Sequence, residues 1–230
     1  MKILIDEENC CCRKKFKSRA SAVSLALLST LLLCFVPERP FGLAAVSPAD
    51  ELSKNRAEQI HETFRIYSVI KSNAPQLKAD FTWRLAAVVR VESRRHTLDP
   101  MLVLAVIKTE SCFENRAVSV SGARGMMQIL PFVGKAVAHE AGMEKWNTEK
   151  TLDDPVVNIR IGVSYLKRLK EKFRDLHLTL AAYRWGPVAI ANRLGDQTPV
   201  PLEYSQKVLD HYRLFRAETP AIPKVIPVHN

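Results

Sequence analysis

The sequence predicts an all-α domain preceded by an export segment, and three observations carry that reading. Apolar residues recur at three- to four-residue spacing along most of the chain beyond residue 56. No stretch shows the strict alternation of a half-buried strand. Two Asp-Pro pairs, Asp99-Pro100 and Asp154-Pro155, open apolar runs in the way an N-cap and a first-turn proline open a helix. With 230 residues, 47% apolar and 25% charged, the chain can bury a core. Its 8 Gly and 13 Pro follow no period, which excludes collagenous, low-complexity and solenoid architectures.

At the N-terminus, Cys10-Cys11-Cys12 lead into Arg13, Lys14, Lys15, Lys17 and Arg19, and no further charge occurs before Glu38. Leu25, Leu27, Leu28, Leu31, Leu32, Leu33, Phe35 and Val36 make the intervening segment apolar, and the small residues Gly42, Ala44 and Ala45 follow it. This is the pattern of a secretory signal cleaved after Ala44 or Ala45, or of an uncleaved inner-membrane anchor through residues 20–36. Either way the basic flank keeps the N-terminus in the cytoplasm and the remainder is exported. The expected divisions are 1–45 signal peptide or membrane anchor, 46–78 N-terminal helical extension, 79–217 main domain and 218–230 C-terminal tail. Loss of the first segment leaves Cys112 as the single cysteine, so the exported part must be held by its core rather than by an intramolecular disulfide.

Ser47-Pro48-Ala49-Asp50 suits a helix start. Ile60, Phe64, Ile66, Tyr67 and Ile70 then form one amphipathic face of a helix that must end before Pro75. A second helix is expected from Ala79 to Arg95, with Leu85, Val88, Val89 and Glu92 along it. After Asp99-Pro100, the run from Met101 to Ile107 is apolar all round, as in a helix at the centre of a domain. It gives way to Lys108-Thr109-Glu110-Ser111, which puts a carboxylate at the end of a buried helix. The small residues of Ser121-Gly122-Ala123 allow a backbone to approach a ligand closely. Asp154-Pro155 opens a helix with Val156, Ile159, Val163, Leu166 and Phe173 on one face, and further helices are expected over 131–142, 176–183, 187–194 and 202–217.

The 34 Lys and Arg exceed the 24 Asp and Glu, a formal charge of +10 that favours a polyanionic partner. The basic residues at 167, 168, 170, 172 and 174 are spread along an amphipathic helix, and export excludes nucleic acid. Cys112 with His139 or His177 has no spacing diagnostic of a cysteine hydrolase.

Several ordered motifs share one pattern: Glu110-Ser111-Cys112-Phe113, Ala117-Val118-Ser119, Gly122-Ala123-Arg124-Gly125-Met126-Met127-Gln128-Ile129-Leu130-Pro131, Asn158-Ile159 with Gly162, Tyr165-Leu166, Ala182-Tyr183-Arg184-Trp185-Gly186-Pro187, and Tyr204 four residues before Val208. Together they resemble the soluble lytic transglycosylases of the Slt type, from Asp99 to Val208. The resemblance implies a lysozyme-like helical domain and cleavage of the β-1,4 bond between N-acetylmuramic acid and N-acetylglucosamine. It implies peptidoglycan glycan strands as the partner, no metal or cofactor, and a place in the periplasm or cell envelope.

By the same resemblance Glu110 is the single acid/base, and the muramyl 6-hydroxyl closes a 1,6-anhydro ring. Ser119 and Gln128 bind the sugar or orient Glu110, Met127 lines the glycan groove, Tyr183 stands beside the acid, and Tyr204 belongs to the substrate site. Arg184 departs from the pattern, in which asparagine follows the tyrosine. Independently of the family, a general acid near neutral pH needs a carboxyl pKa raised by apolar surroundings, which the Met101–Ile107 run supplies. Two alternatives stay open on the same scaffold: a non-catalytic peptidoglycan-binding protein, and a lysozyme-type hydrolase that uses water.

Overall fold

A computed structural model describes residues 48–143 and 149–218. The expected signal or anchor at 1–45 and all but the first residue of the tail at 218–230 lie outside the described residues. Among the described residues there are eight α-helices and one short 3-10 turn. The helices are α1 (Pro48–Asn73), α2 (Ala79–Arg95), α3 (Pro100–Ser111), α4 (Pro131–Val137), α5 (Pro155–Phe173), α6 (Leu176–Trp185), α7 (Pro187–Gly195) and α8 (Glu203–Ala217). None is long and apolar enough to cross a membrane.

The centre of the fold is α3. Asp99 accepts from the Met101 N–H at 2.8 Å, Pro100 fills the first helical position, and Met101 to Ile107 are all buried. Each such side chain contributes ~1.5–3 kcal/mol through removal from water, so the helix is held by burial on every face. The α8 helix lies along α3, and the Tyr212 hydroxyl donates to Asp99 Oδ2 at 2.8 Å, so the residue that caps α3 also ties it to α8. From α1, Ile66, Val69 and Ile70 enter the same core, while residues 51–59 are exposed on every face.

Between α2 and α5, Arg160 donates from Nε to Glu92 Oε1 at 2.9 Å. The α5 start is as expected: Asp154 accepts from the Val156 and Val157 N–H groups. Its buried face is Asn158, Ile159, Ile161, Gly162, Val163, Leu166 and Leu169. Val156, expected on that face, is exposed because it sits in the first turn, ahead of the packed region.

The other difference is α4. Regular helix stops at Val137 instead of continuing to 142. The chain closes instead through Met143 N–H to Ala138 O and Gly142 N–H to His139 O, with Gly142 at φ 72°. That is a Schellman closure around a left-handed glycine. Gly186, at φ 86°, with Pro187 after it, separates α6 from α7.

Candidate active site

Glu110 is the penultimate residue of α3, so its carboxyl leaves the buried helix where the chain turns toward the loop over 112–130. Cys112 and Phe113 both adopt left-handed backbone, at φ 50° and 67°, and the fully buried Phe113 ring plugs the turn from beneath. Ser111 Oγ donates to Ile107 O at 3.2 Å and to Met126 O at 2.8 Å, which fastens the last turn of α3 to the returning loop. Gln128, at φ 47°, is a third strained residue in that loop. Non-glycine residues held at positive φ cost free energy and persist where the surroundings force a particular geometry.

The loop itself is held by α5. Asn158, fully buried, accepts the Met127 N–H at 2.8 Å and donates to Arg124 O at 2.8 Å and Leu152 O at 3.0 Å. Gly125 has to be glycine: its φ is 74°, and a Cβ there would lie 2.6 Å from Leu152 O. Gly162 leaves room for Met127, whose Cβ would be 2.9 Å from an added methyl. Isolated bridges of Arg124 with Val118 and Ile129 and the two-pronged Arg124–Asp153 pair complete the frame.

Two tyrosines reach this frame from the other side. The Tyr204 hydroxyl, on α8, donates to Glu110 Oε1 at 2.5 Å. The Tyr183 hydroxyl, on α6, donates to Met127 O at 2.7 Å and stacks at a tilt on Tyr165, with ring centroids 5.5 Å apart. Burial pushes both hydroxyls well above the usual tyrosine value, so they act as neutral donors.

For Glu110, burial raises the carboxyl from 4.5 to about 7, against three opposing influences: the Tyr204 hydrogen bond and the positive charges of Arg184 and Lys207. No carboxylate appears among the charges acting on Glu110 from the described residues. The arrangement can therefore hold a proton near neutral pH, release it, and keep the resulting carboxylate solvated by one hydroxyl and two cations.

The sequence-derived residues fall into two groups. Glu110 and Tyr204 meet directly; Tyr183 is near enough for the Glu110 charge to act on its hydroxyl, which α6 delivers to the Met127 carbonyl as hydrogen-bond partner. Met127 is fully buried, packed on Gly162, so its carbonyl and not its side chain faces the site machinery. Gln128 Nε2 donates to Ala117 O and Gly125 O, and Ser119 Oγ accepts the Ala123 N–H while pairing with Ser121 Oγ. Both brace the loop.

Sequence reasoning gave no function to Asn158, Ser111 or Phe113. All three lie in motifs of the shared pattern, Glu110-Ser111-Cys112-Phe113 and Asn158-Ile159, and that was the available signal.

The helical arrangement is that of the lytic transglycosylases. Two solved structures share the fold: the 70-kDa soluble lytic transglycosylase from Escherichia coli (22% identity, TM-score 0.51, 71% of this chain and 31% of that one) and an inactive mutant of the lytic transglycosylase Slt from Pseudomonas aeruginosa (23% identity, TM-score 0.50, 73% and 33%). Residues 87–199 match the model of the transglycosylase SLT domain family. Membrane-bound lytic murein transglycosylase C of Shigella sonnei is 36% identical over 129 residues, 55% of this chain. The chain spans only about a third of these relatives, 36% of the Shigella protein.

Proposed function

We propose that this protein is a peptidoglycan lytic transglycosylase of the cell envelope, with Glu110 as its single acid/base. Glu110 protonates the glycosidic oxygen between N-acetylmuramic acid and N-acetylglucosamine, the C1–O bond breaks, and the muramyl 6-hydroxyl bonds to C1. The 6-hydroxyl proton returns to Glu110. Two fragments leave, one with a 1,6-anhydromuramyl end and one with a free N-acetylglucosamine 4-hydroxyl; together they have the formula of the substrate, no water is consumed, and the enzyme finishes in its starting protonation state.

The observation that carries this reading is Glu110 itself: a carboxyl lifted to about 7 by burial and hydrogen-bonded to Tyr204, with Arg184 and Lys207, and no second carboxylate of the described residues, acting on its charge. Glycosidases that use water or a covalent intermediate need a partner carboxylate on the opposite face of the sugar. An internal hydroxyl nucleophile removes that need. The match of residues 87–199 to the transglycosylase SLT domain and the names of the relatives support the same chemistry.

The reading extends to the envelope because a basic-then-apolar segment precedes the domain and because the Shigella relative is described as membrane-bound. Ser119 and Gln128 are assigned to shaping the substrate loop, and Tyr183 to fixing the Met127 carbonyl. The test is mass spectrometry of soluble fragments released from bacterial sacculi by the wild type and by Glu110→Gln. Anhydromuramyl ends from the wild type and none from the variant are expected. Reducing ends, heavier by one water, would identify a hydrolase instead, and sacculus binding without fragments a binding protein.

A further inference from the structure

Arg184 stands one residue beyond Tyr183, near the end of α6, and is half-buried. Two partly buried guanidinium groups of the fold close on carboxylates: Arg124 on Asp153 with two hydrogen bonds, at 2.9 and 2.7 Å, and Arg160 on Glu92 at 2.9 Å. Arg184 closes on an aromatic ring, its guanidinium carbon 5.6 Å from the Trp185 centroid, and no carboxylate of the described residues lies within ion-pair distance. Trp185 is 40% exposed, so the pair is open to solvent. Lys207, exposed on α8, follows Tyr204 by three residues and so shares its helix face. Both cations are close enough to act on the Glu110 carboxyl.

A guanidinium over an indole face and in no ion pair with the described residues keeps N–H donors available, in the geometry that matches a carboxylate in two-pronged fashion. The N-acetylated sugars of a glycan strand carry no charge. Every ionisable group of the strand hangs on the lactyl branch of the muramyl residue, either as the free lactyl carboxylate of a bare strand or as the carboxylates of an attached stem peptide.

We propose that Arg184, backed by Lys207, binds a carboxylate on the muramyl lactyl branch and makes the site selective for strands that carry one. This rests on the transglycosylase reading above. The selectivity is a difference in binding between charged and neutral branches, and it comes from a half-buried guanidinium that gains a charge-assisted partner only from a charged branch.

The test uses the full chain on four sets of length-matched glycan strands: peptide-bearing, peptide-bearing with the stem carboxylates methyl-esterified, bare with a free lactyl carboxylate, and bare with the lactyl group methyl-esterified. The readout is the ratio of kcat/KM on each acid to that on its ester, for wild type, Arg184→Met, Arg184→Lys and Lys207→Met. Wild type is expected to favour one acid form roughly tenfold, mostly through KM. Whichever acid–ester pair shows this identifies the source of the carboxylate. Arg184→Met should bring that ratio close to one, Arg184→Lys should restore part of it, and Lys207→Met should lower it less.

A wild type indifferent to esterification overturns the proposal. So does a ratio in Arg184→Met equal to that of wild type. An equal loss on all four strands with a shifted pH profile also overturns it, because Arg184 would then act on Glu110 alone. Arg184→Lys and Lys207→Met keep the comparison available if the methionine variant does not fold. Failure of the wild type to produce anhydro ends from any strand is a different result: it removes the transglycosylase reading and this inference with it.

Discussion

Replacing Glu110 by Gln should stabilise the protein, and by an amount that depends on pH in a definite way. The carboxyl titrates at 4.5 when solvated and at about 7 in the folded protein, with burial as the largest cause. Between those two values the unfolded chain has released its proton and the folded chain has not. Proton release then favours unfolding, so wild-type stability must fall as pH rises through this window and level off above about 7. At ~1.4 kcal/mol per pH unit, the full displacement corresponds to roughly 3 kcal/mol. Glutamine keeps an oxygen that can accept the Tyr204 hydrogen bond and has no titration.

The stability difference between Glu110→Gln and wild type should therefore be small and constant below pH 4.5, grow across the window, and reach roughly 3 kcal/mol in favour of the variant at pH 8. Urea unfolding followed by far-UV circular dichroism at half-unit pH steps measures it, with equal m-values as the check that both proteins unfold over the same surface. The His96 and His211 imidazoles, both held below their usual value by burial, are common to both proteins and cancel in the difference. A difference that does not change between pH 4.5 and 8 would refute the reasoning: Glu110 would then be an ordinary solvated carboxylate, and the acid assignment would lose its physical basis.

The same displacement sets the activity profile: kcat/KM should decline tenfold per unit above about pH 7 as the acid is lost, as measured on soluble glycan strands. Tyr204→Phe removes a hydrogen bond that lowers the Glu110 value, so the alkaline limb should move to higher pH while kcat/KM at pH 6 falls by roughly tenfold. Asn158→Ala leaves the Met127 N–H and two carbonyls without their buried partner and should cost about 3 kcal/mol or more in urea unfolding, with turnover lost at temperatures where the domain stays folded. Gly162→Ala forces Met127 aside and should cost ~1–3 kcal/mol, with a larger effect on kcat than on KM because the Tyr183–Met127 bond shifts with it.

The helices were legible because their signals are local. Asp99-Pro100 and Asp154-Pro155 mark two starts to the residue, Pro75 and Gly186-Pro187 mark breaks, and the Met101–Ile107 run announces the buried centre. Glu110 was legible for a related reason: a carboxylate after seven apolar residues is anomalous on its own terms. What the sequence does not carry is the direction in which two tyrosines point. Tyr183 and Tyr204 are both hydroxyls on helices beside the acid, and only the packing of α8 along α3 gives the contact to Tyr204. The α4 boundary failed similarly, since the closure at Gly142 depends on backbone φ and not on the apolar period of 131–142. Met127 reads as a groove residue until Gly162, 35 positions later, is seen to have made a hole for it.

A single carboxyl that must both give and take a proton in one turnover works best when neither state is strongly preferred, and the site achieves this by opposition. Burial alone would drive Glu110 far toward the protonated form and leave a poor base. The Tyr204 hydroxyl, Arg184 and Lys207 all favour the ionised form, and together they hold the value at about 7 rather than higher. Each of the three comes from α6 or α8, whereas the burial comes from α3 and its surroundings. The balance is therefore a property of how α8 docks on α3 and α6 on α8. Loosening that docking should change the pH profile before it changes the fold: Tyr212→Phe, which cuts the tie from α8 to Asp99 far along the helix from Tyr204, is expected to move the alkaline limb upward while the protein remains folded. If the limb stays in place in Tyr212→Phe but moves in Tyr204→Phe, the balance is set by the single hydrogen bond and not by the docking of the helix.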